Sequence, residues 1–288
     1  MVRSLARRRF LAVSAAAVAG AAWFDLPKLL QAEGLAAKDD PWGGFPLGVQ
    51  SYSLRNFETP EVVRHLHGMG VHYVEFFNKH LSATASDDQV AETKKLLAAA
   101  DIKIAGHGVH SFTANHEENR KLFDFAKKIG VRVITANPQA DSFDSLDKLV
   151  AEYDICIAIH NHGPGALYDS LESVTEAVKG RHKNLGACVD CGHFIRSGED
   201  PVKCVLELND RVFAAHIKDE PKAGPATANV IIGKGLLDVV GLFKALKQVK
   251  FPAYGSLSLE YEANPDNPID EMKACLDVAK EAIAKASA

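Results

Sequence analysis

Short apolar runs alternate along this chain with longer stretches in which apolar residues recur every three or four positions. The short runs are Leu47–Ser51, His72–Phe76, Ile102–Gly108, Val131–Ala136, Ile155–Asn161, Leu185–Asp190, Val212–Lys218 and Gly255–Tyr261. Their length and near-continuous apolar character predict buried strands. Between them, Pro60–Met69, Asp87–Ala100, Glu117–Ile129, Ser142–Glu152, Ser170–Lys179, Pro201–Leu208, Leu236–Gln248 and Asp270–Ala286 carry the helical period. Ser86 and Asp200, the latter followed by Pro201, stand where helices begin, and Gly70 and Gly130 where they end. Strict alternation of strand and helix predicts a parallel sheet with right-handed crossovers, and about eight such units close it into a (β/α)8 barrel. An open dinucleotide-binding sheet requires a glycine-rich turn after the first strand. Residues 51–56 read SYSLRN and contain no glycine.

In such a barrel every strand delivers its C-terminal end to one face, so polar residues at those ends matter. Gln50 ends the first strand, Glu75 and Asn78 lie at the exit of the second, and His107 and His110 at the exit of the third. The later strands are richer. His160 and His162 share one side of an extended segment, Asp190 ends the sixth strand with His193 just beyond, and His216 and Lys218 share a face of the seventh. In the eighth, Ser256, Ser258, Glu260 and Glu262 alternate with Leu257, Leu259 and Tyr261, so a polar face looks into the barrel or its mouth. His160, Asp190, His216 and Glu260 form a candidate metal site. Two imidazoles and two carboxylates suit one divalent ion such as Mn, Co, Zn, Fe or Mg better than a calcium or thiolate site. Asp219 and Glu262 are candidate acceptors for the far nitrogens of the histidine ligands.

The N-terminus reads differently. Arg7-Arg8-Arg9-Phe10-Leu11 matches the twin-arginine export pattern, and the apolar run after it, Leu11 to Ala22, is too short to span a bilayer comfortably. Residues 1–37 are therefore expected to be a signal segment and linker that engage the Tat machinery, and residues 46–288 a single barrel domain in the periplasm or otherwise outside the cytoplasm. A net charge of −4 argues against a nucleic-acid partner. The five cysteines include a Cys188-x-x-Cys191 pair, but Ala187-Cys188-Val189 lies inside an apolar strand. Buried thiols are expected there rather than a redox or zinc motif.

The motifs I-H-N-H-G-P (159–164), V-D-C-G-H-F-I-R-S-G (189–198), H-I-K-D (216–219) and S-L-E-Y-E-A-N-P (258–265) together resemble the xylose-isomerase-like TIM-barrel superfamily of sugar phosphate isomerases and epimerases. The resemblance extends over nearly everything from Pro46 onward. It implies a metal held by a carboxylate of strand five, an aspartate of strand six, a histidine of strand seven and a glutamate of strand eight, and Asp190, His216 and Glu260 match the last three. His160 departs from the pattern, because many relatives carry glutamate there as one of two acid/base groups; a histidine still binds a metal. The implied chemistry is proton abstraction next to a carbonyl through a metal-stabilised enediolate. Glu260 is the expected base, with His107, His193 and Lys218 as further catalytic groups and Gln50, Glu75, His110, His162 and Arg196 as substrate contacts. With few basic residues at the mouth, the expected substrate is a non-phosphorylated sugar, isomerised or epimerised. The alternatives are a lyase or hydrolase of 3-keto-glycosides and a non-catalytic sugar-binding envelope protein. A homo-oligomer is left open.

Overall fold

A computed structural model describes residues 40–225 and 227–288. The twin-arginine pattern and its apolar run lie outside the described residues. Eight parallel strands close a barrel in chain order: β1 (Leu47–Gln50), β2 (Tyr73–Phe76), β3 (Lys103–Phe112), β4 (Val133–Pro138), β5 (Cys156–His160), β6 (Leu185–Asp190), β7 (Val212–Ile217) and β8 (Ser256–Leu259). Strand β1 pairs with β8 through Leu47, Gly48 and Val49, and this pairing shuts the ring. The helices are α1 (Thr59–Gly68), α2 (Asp87–Ala99), α3 (His116–Ile129), α4 (Phe143–Tyr153), α5 (Leu171–Val178), α6 (Cys191–Arg196), α7 (Pro201–Leu208), α8 (Val239–Gln248) and α9 (Ile269–Ser287).

Local signals account for the boundaries. The Ser86 hydroxyl accepts from Gln89 N and the Gln89 side chain returns to Ser86 N, a reciprocal cap that opens α2. Asp200 accepts from Val202 N ahead of Pro201, and Gly130, at φ +87°, ends α3 in the left-handed region that glycine enters without strain. Alternation along the strands sorts two layers. Ile157 and Ile159 of β5, Ala187 and Val189 of β6, and Leu257 and Leu259 of β8 join the main core under the helices. Cys156, Ala158 and His160 fall on the inward face of β5. Val133, Cys156, Ala158, Cys188 and Ala214 form a small apolar cluster with Phe213. All five cysteines are free and buried.

Three differences from the sequence reading bear on the site. The segment after β6, where the periodicity predicts no helix, forms helix α6, opened by Asp190, whose Oδ1 accepts from His193 N at 2.8 Å. Strand β3 continues to Phe112, with its register against β4 shifting between His107 and His110. Trp42, ahead of the expected barrel start at residue 46, is 2% exposed and packs in the main core.

Candidate active site

Register brings the ligand candidates level. Asp190 pairs with His216, and His216 with Ser258, across neighbouring strands. Asn161 fixes the end of β6: its Nδ2 donates to Asp190 O (3.1 Å) and its Oδ1 accepts from Asp190 N (2.8 Å). One donor atom from each of His160, Asp190, His216 and Glu260 lies within 4.8 Å of the others, and all four residues are buried. His160 Nε2 is 3.1 Å from His216 Nδ1 and 3.3 Å from Asp190 Oδ2, and His216 Nδ1 is 3.3 Å from Glu260 Oε2. Neighbouring donors on an ion with bonds of about 2.0–2.2 Å stand at such spacings. Asp190 Oδ2 is buried without an aligned hydrogen-bond donor among the described residues, with the Lys218 ammonium 3.0 Å away as its charge partner. A buried acceptor left in this way is costly, and a divalent ion would satisfy it. The residues present therefore fit such an ion.

Behind this cluster lies a second layer. His216 Nε2 donates to Glu75 Oε2 at 3.1 Å; Ser256 and Ser258 donate to the same oxygen at 2.8 and 3.1 Å, and Thr135 donates to Glu75 Oε1 at 2.6 Å. Burial alone raises the Glu75 pKa, but the adjacent His216 charge and these hydrogen bonds outweigh it and hold the carboxyl at about 2. Glu75 is thus the acceptor that fixes the His216 ring, with Nδ1 aimed at the cluster. It was expected to contact substrate; it is instead fully buried beneath the four candidate ligands. Asp219 and Glu262, the anticipated acceptors, do other work. Asp219 accepts from Gly233 N, Gly235 N and Leu237 N, fixing the loop after β7, and Glu262 pairs with Lys218.

Above the cluster opens a cavity of about 420 Å³ whose wall includes Gln50, His160, His162, His193, Glu260 and Glu262. Burial lowers His162 to about 4 and His193 to about 3, so both are neutral near pH 7. Arg196 stands beside an adjoining hollow, where its guanidinium donates to His193 Nδ1 at 3.2 Å and to Pro225 O at 2.6 Å. His107, His110 and Lys218, expected at the substrate, do not line the main cavity. The His107 ring stacks on that of His110, their Nδ1 and Nε2 2.7 Å apart, and its Nε2 donates to Leu81 O. Lys218 is 1% exposed and wedged between carboxylates. Tyr52, Phe77, Asn78, Gly108 and Val109 complete the cavity wall, with Tyr52 and Val109 partly exposed. Sequence reasoning passed over Tyr52, Phe77 and Val109 because an apolar residue within β3 or next to the ends of β1 and β2 reads as core; the place of Tyr52 just past the first strand end was the available clue.

The model of one family, described as Xylose isomerase-like TIM barrel, matches residues 63–282. An inosose dehydratase of Clostridium botulinum is 24% identical over 226 residues, covering 62% of this chain and 76% of the relative. A crystal structure from Parabacteroides distasonis is 31% identical, covers 83% of this chain and 99% of its own, and superposes with a TM-score of 0.64. D-psicose 3-epimerase of Clostridium cellulolyticum, solved with D-tagatose, shares the fold at 14% identity, covering 82% of this chain and 99% of its own, with a TM-score of 0.67.

Proposed function

This chain belongs to the xylose isomerase-like TIM barrel family, and from that premise we propose that it is a divalent-metal-dependent enzyme that removes a proton next to the carbonyl of a neutral keto-sugar or keto-polyol and then expels the neighbouring hydroxyl as water. His160, Asp190, His216 and Glu260 would hold the ion, which supplies Lewis-acid polarisation of the carbonyl. Glu260 lines the cavity and reaches the ligand cluster, so it is placed to accept the proton from carbon. The C–O bond on the adjacent carbon then breaks as a C=C bond forms. The proton held by Glu260 passes to the departing oxygen, which regenerates the carboxylate and releases water. The uncharged imidazoles of His162 and His193 orient substrate hydroxyls, and Gln50 offers an amide opposite them.

The observation that carries this reading is that the proton chemistry is one-sided. Epimerisation by exchange between two faces calls for a base on each. Position 160 is a histidine, and the other carboxylate on the cavity wall, Glu262, stands two residues beyond Glu260 and is tied to Lys218 at 2.5 Å. The names of the dehydratase relatives point the same way. Support for action outside the cytoplasm comes from the Arg7-Arg8-Arg9 pattern ahead of the barrel.

The test begins with metal content after gel filtration, wild type beside Asp190→Ala. About one transition metal per chain in the wild type, lost in the variant, is expected. Incubation with inosose and 3-keto-glucosides in D2O then separates outcomes: loss of water supports elimination, whereas deuterium uptake into an epimerised product without water loss assigns an epimerase. No metal in the wild type after reconstitution would sink the metal mechanism and leave a sugar-binding protein.

A further inference from the structure

Lys218 is a cation packed against the ligand cluster that the proposed chemistry does not use. It follows β7 directly, and its stem runs across Gly192 in α6. A Cβ on Gly192 would fall 2.6 Å from both Cγ and Cδ of Lys218, so glycine at 192 keeps the path of the lysine open. The ammonium stands 2.6 Å from Glu260 Oε2 and 3.0 Å from Asp190 Oδ2. These are the same two oxygens that face the imidazoles, at 3.3 Å from His216 Nδ1 and 3.3 Å from His160 Nε2 respectively. A divalent ion and the ammonium would therefore compete for one pair of oxygens.

Direction distinguishes the three carboxylate contacts of Lys218. The contact with Glu262 Oε1, at 2.5 Å, has hydrogen-bond geometry. The approach to Asp190 Oδ2 does not, and that oxygen is left without an aligned donor. Glu262 is also the partner at the rim, with 36% of its side chain exposed and a place on the cavity wall. It can hold the ammonium without drawing on either ligand oxygen.

We propose that Lys218 is a resident counter-cation of the metal site: it neutralises Asp190 and Glu260 while no metal is bound, and withdraws onto Glu262 when a divalent cation takes their oxygens. The proposal rests on the metal-site reading above. Its consequence is a sign. A lysine that only held the carboxylates in place would strengthen metal binding, whereas a competing ammonium weakens it, because the ion must displace one positive charge and then sit a few ångströms from it.

The experiment is titration of Mn2+ into the metal-stripped full chain by calorimetry at pH 7.5. Lys218→Met is expected to bind Mn2+ at least tenfold more tightly than wild type, with a lower Tm before metal is added. Glu262→Gln, at a half-exposed position where folding is secure, is expected to bind at least threefold more weakly because the ammonium has lost its retreat. Weaker binding in Lys218→Met, or wild-type affinity in Glu262→Gln, overturns the proposal. Should Lys218→Met fail to fold, Glu262→Gln decides alone. Wild-type protein that takes up no Mn2+, Zn2+ or Co2+ overturns the metal reading itself, and this inference with it.

Discussion

The two halves of the barrel do different work. Strands β5 to β8 supply the four candidate ligands at their C-terminal ends, while β2 and β4, across the barrel, supply Glu75 and Thr135 one layer deeper. Ligands on one half and the acceptor on the other make His216 a bridge across the barrel, from Glu260 and Asp190 at Nδ1 to Glu75 at Nε2. His160 has no such brace, since its Nδ1 is buried with no hydrogen bond among the described residues. A site built from one half of a barrel is therefore oriented by the other half, and most firmly at one of its two imidazoles.

The sharpest way to break this division is Glu75→Ala. If the far half orients His216, the variant loses a buried charged partner, which costs about 3–5 kcal/mol of stability, and metal affinity falls roughly 10–100-fold. Urea unfolding of the metal-stripped chain and a Zn2+ titration read the two effects separately. Loss of stability with unchanged affinity would show that Glu75 serves the fold alone.

A pH titration tests the same half from a different group. Burial lowers His107 to about 4 and, with His107 beside it, His110 to about 3, both from 6.5. The unfolded chain therefore takes up these protons first. The stability the two neutral rings contribute is fully present above pH 6.5 and is lost as pH falls toward 4. His216 has the opposite sign, its pKa raised above the ordinary value by nearby groups in spite of burial, so it does not add to this loss. Unfolding free energies of the metal-stripped chain between pH 6.5 and 4.5 should fall by roughly 1.4 kcal/mol per pH unit for each proton the unfolded chain takes up alone. His107→Gln should remove close to one proton from that slope. An unchanged slope would mean that other histidines carry it.

How much of this was legible in the sequence follows the same divide. The eight strands, the closed barrel and the four converging ligand candidates could be read from periodicity and from polar residues at strand ends. The structure places them as the pattern predicts, within a residue or two at most ends. The β2–β4 half misled, because a polar residue near a strand end looks the same whether it faces the cavity or the layer below. Glu75 precedes the last residue of β2 and falls inward and below; His107 lies five residues before the end of β3, a strand whose true length the sequence did not reveal. Thr135 was invisible for a simpler reason, since one hydroxyl within an apolar strand is unremarkable until its partner is known. Helix α6 escaped because it has only six residues and its cap is Asp190, already read as a ligand.

The smallest expected effect is at Ser258, and it asks whether support for Glu75 is shared or concentrated. Four groups donate to the Glu75 carboxylate: Thr135 at Oε1, and His216, Ser256 and Ser258 at Oε2. Ser258→Ala removes the hydroxyl that stands 3.1 Å away and leaves three donors in place. A hydrogen bond to a charged group contributes roughly 1.5–3 kcal/mol, and the lower end applies here because Ser256 still serves the same oxygen. The expected loss is therefore about 1.5 kcal/mol of stability with less than a threefold change in Zn2+ affinity. If Ser258→Ala weakens metal binding as much as Glu75→Ala does, the brace is not a shared network. Ser258, level with His216 on the neighbouring strand, would then orient the imidazole through packing, and the far half of the barrel would matter less than its buried carboxylate suggests.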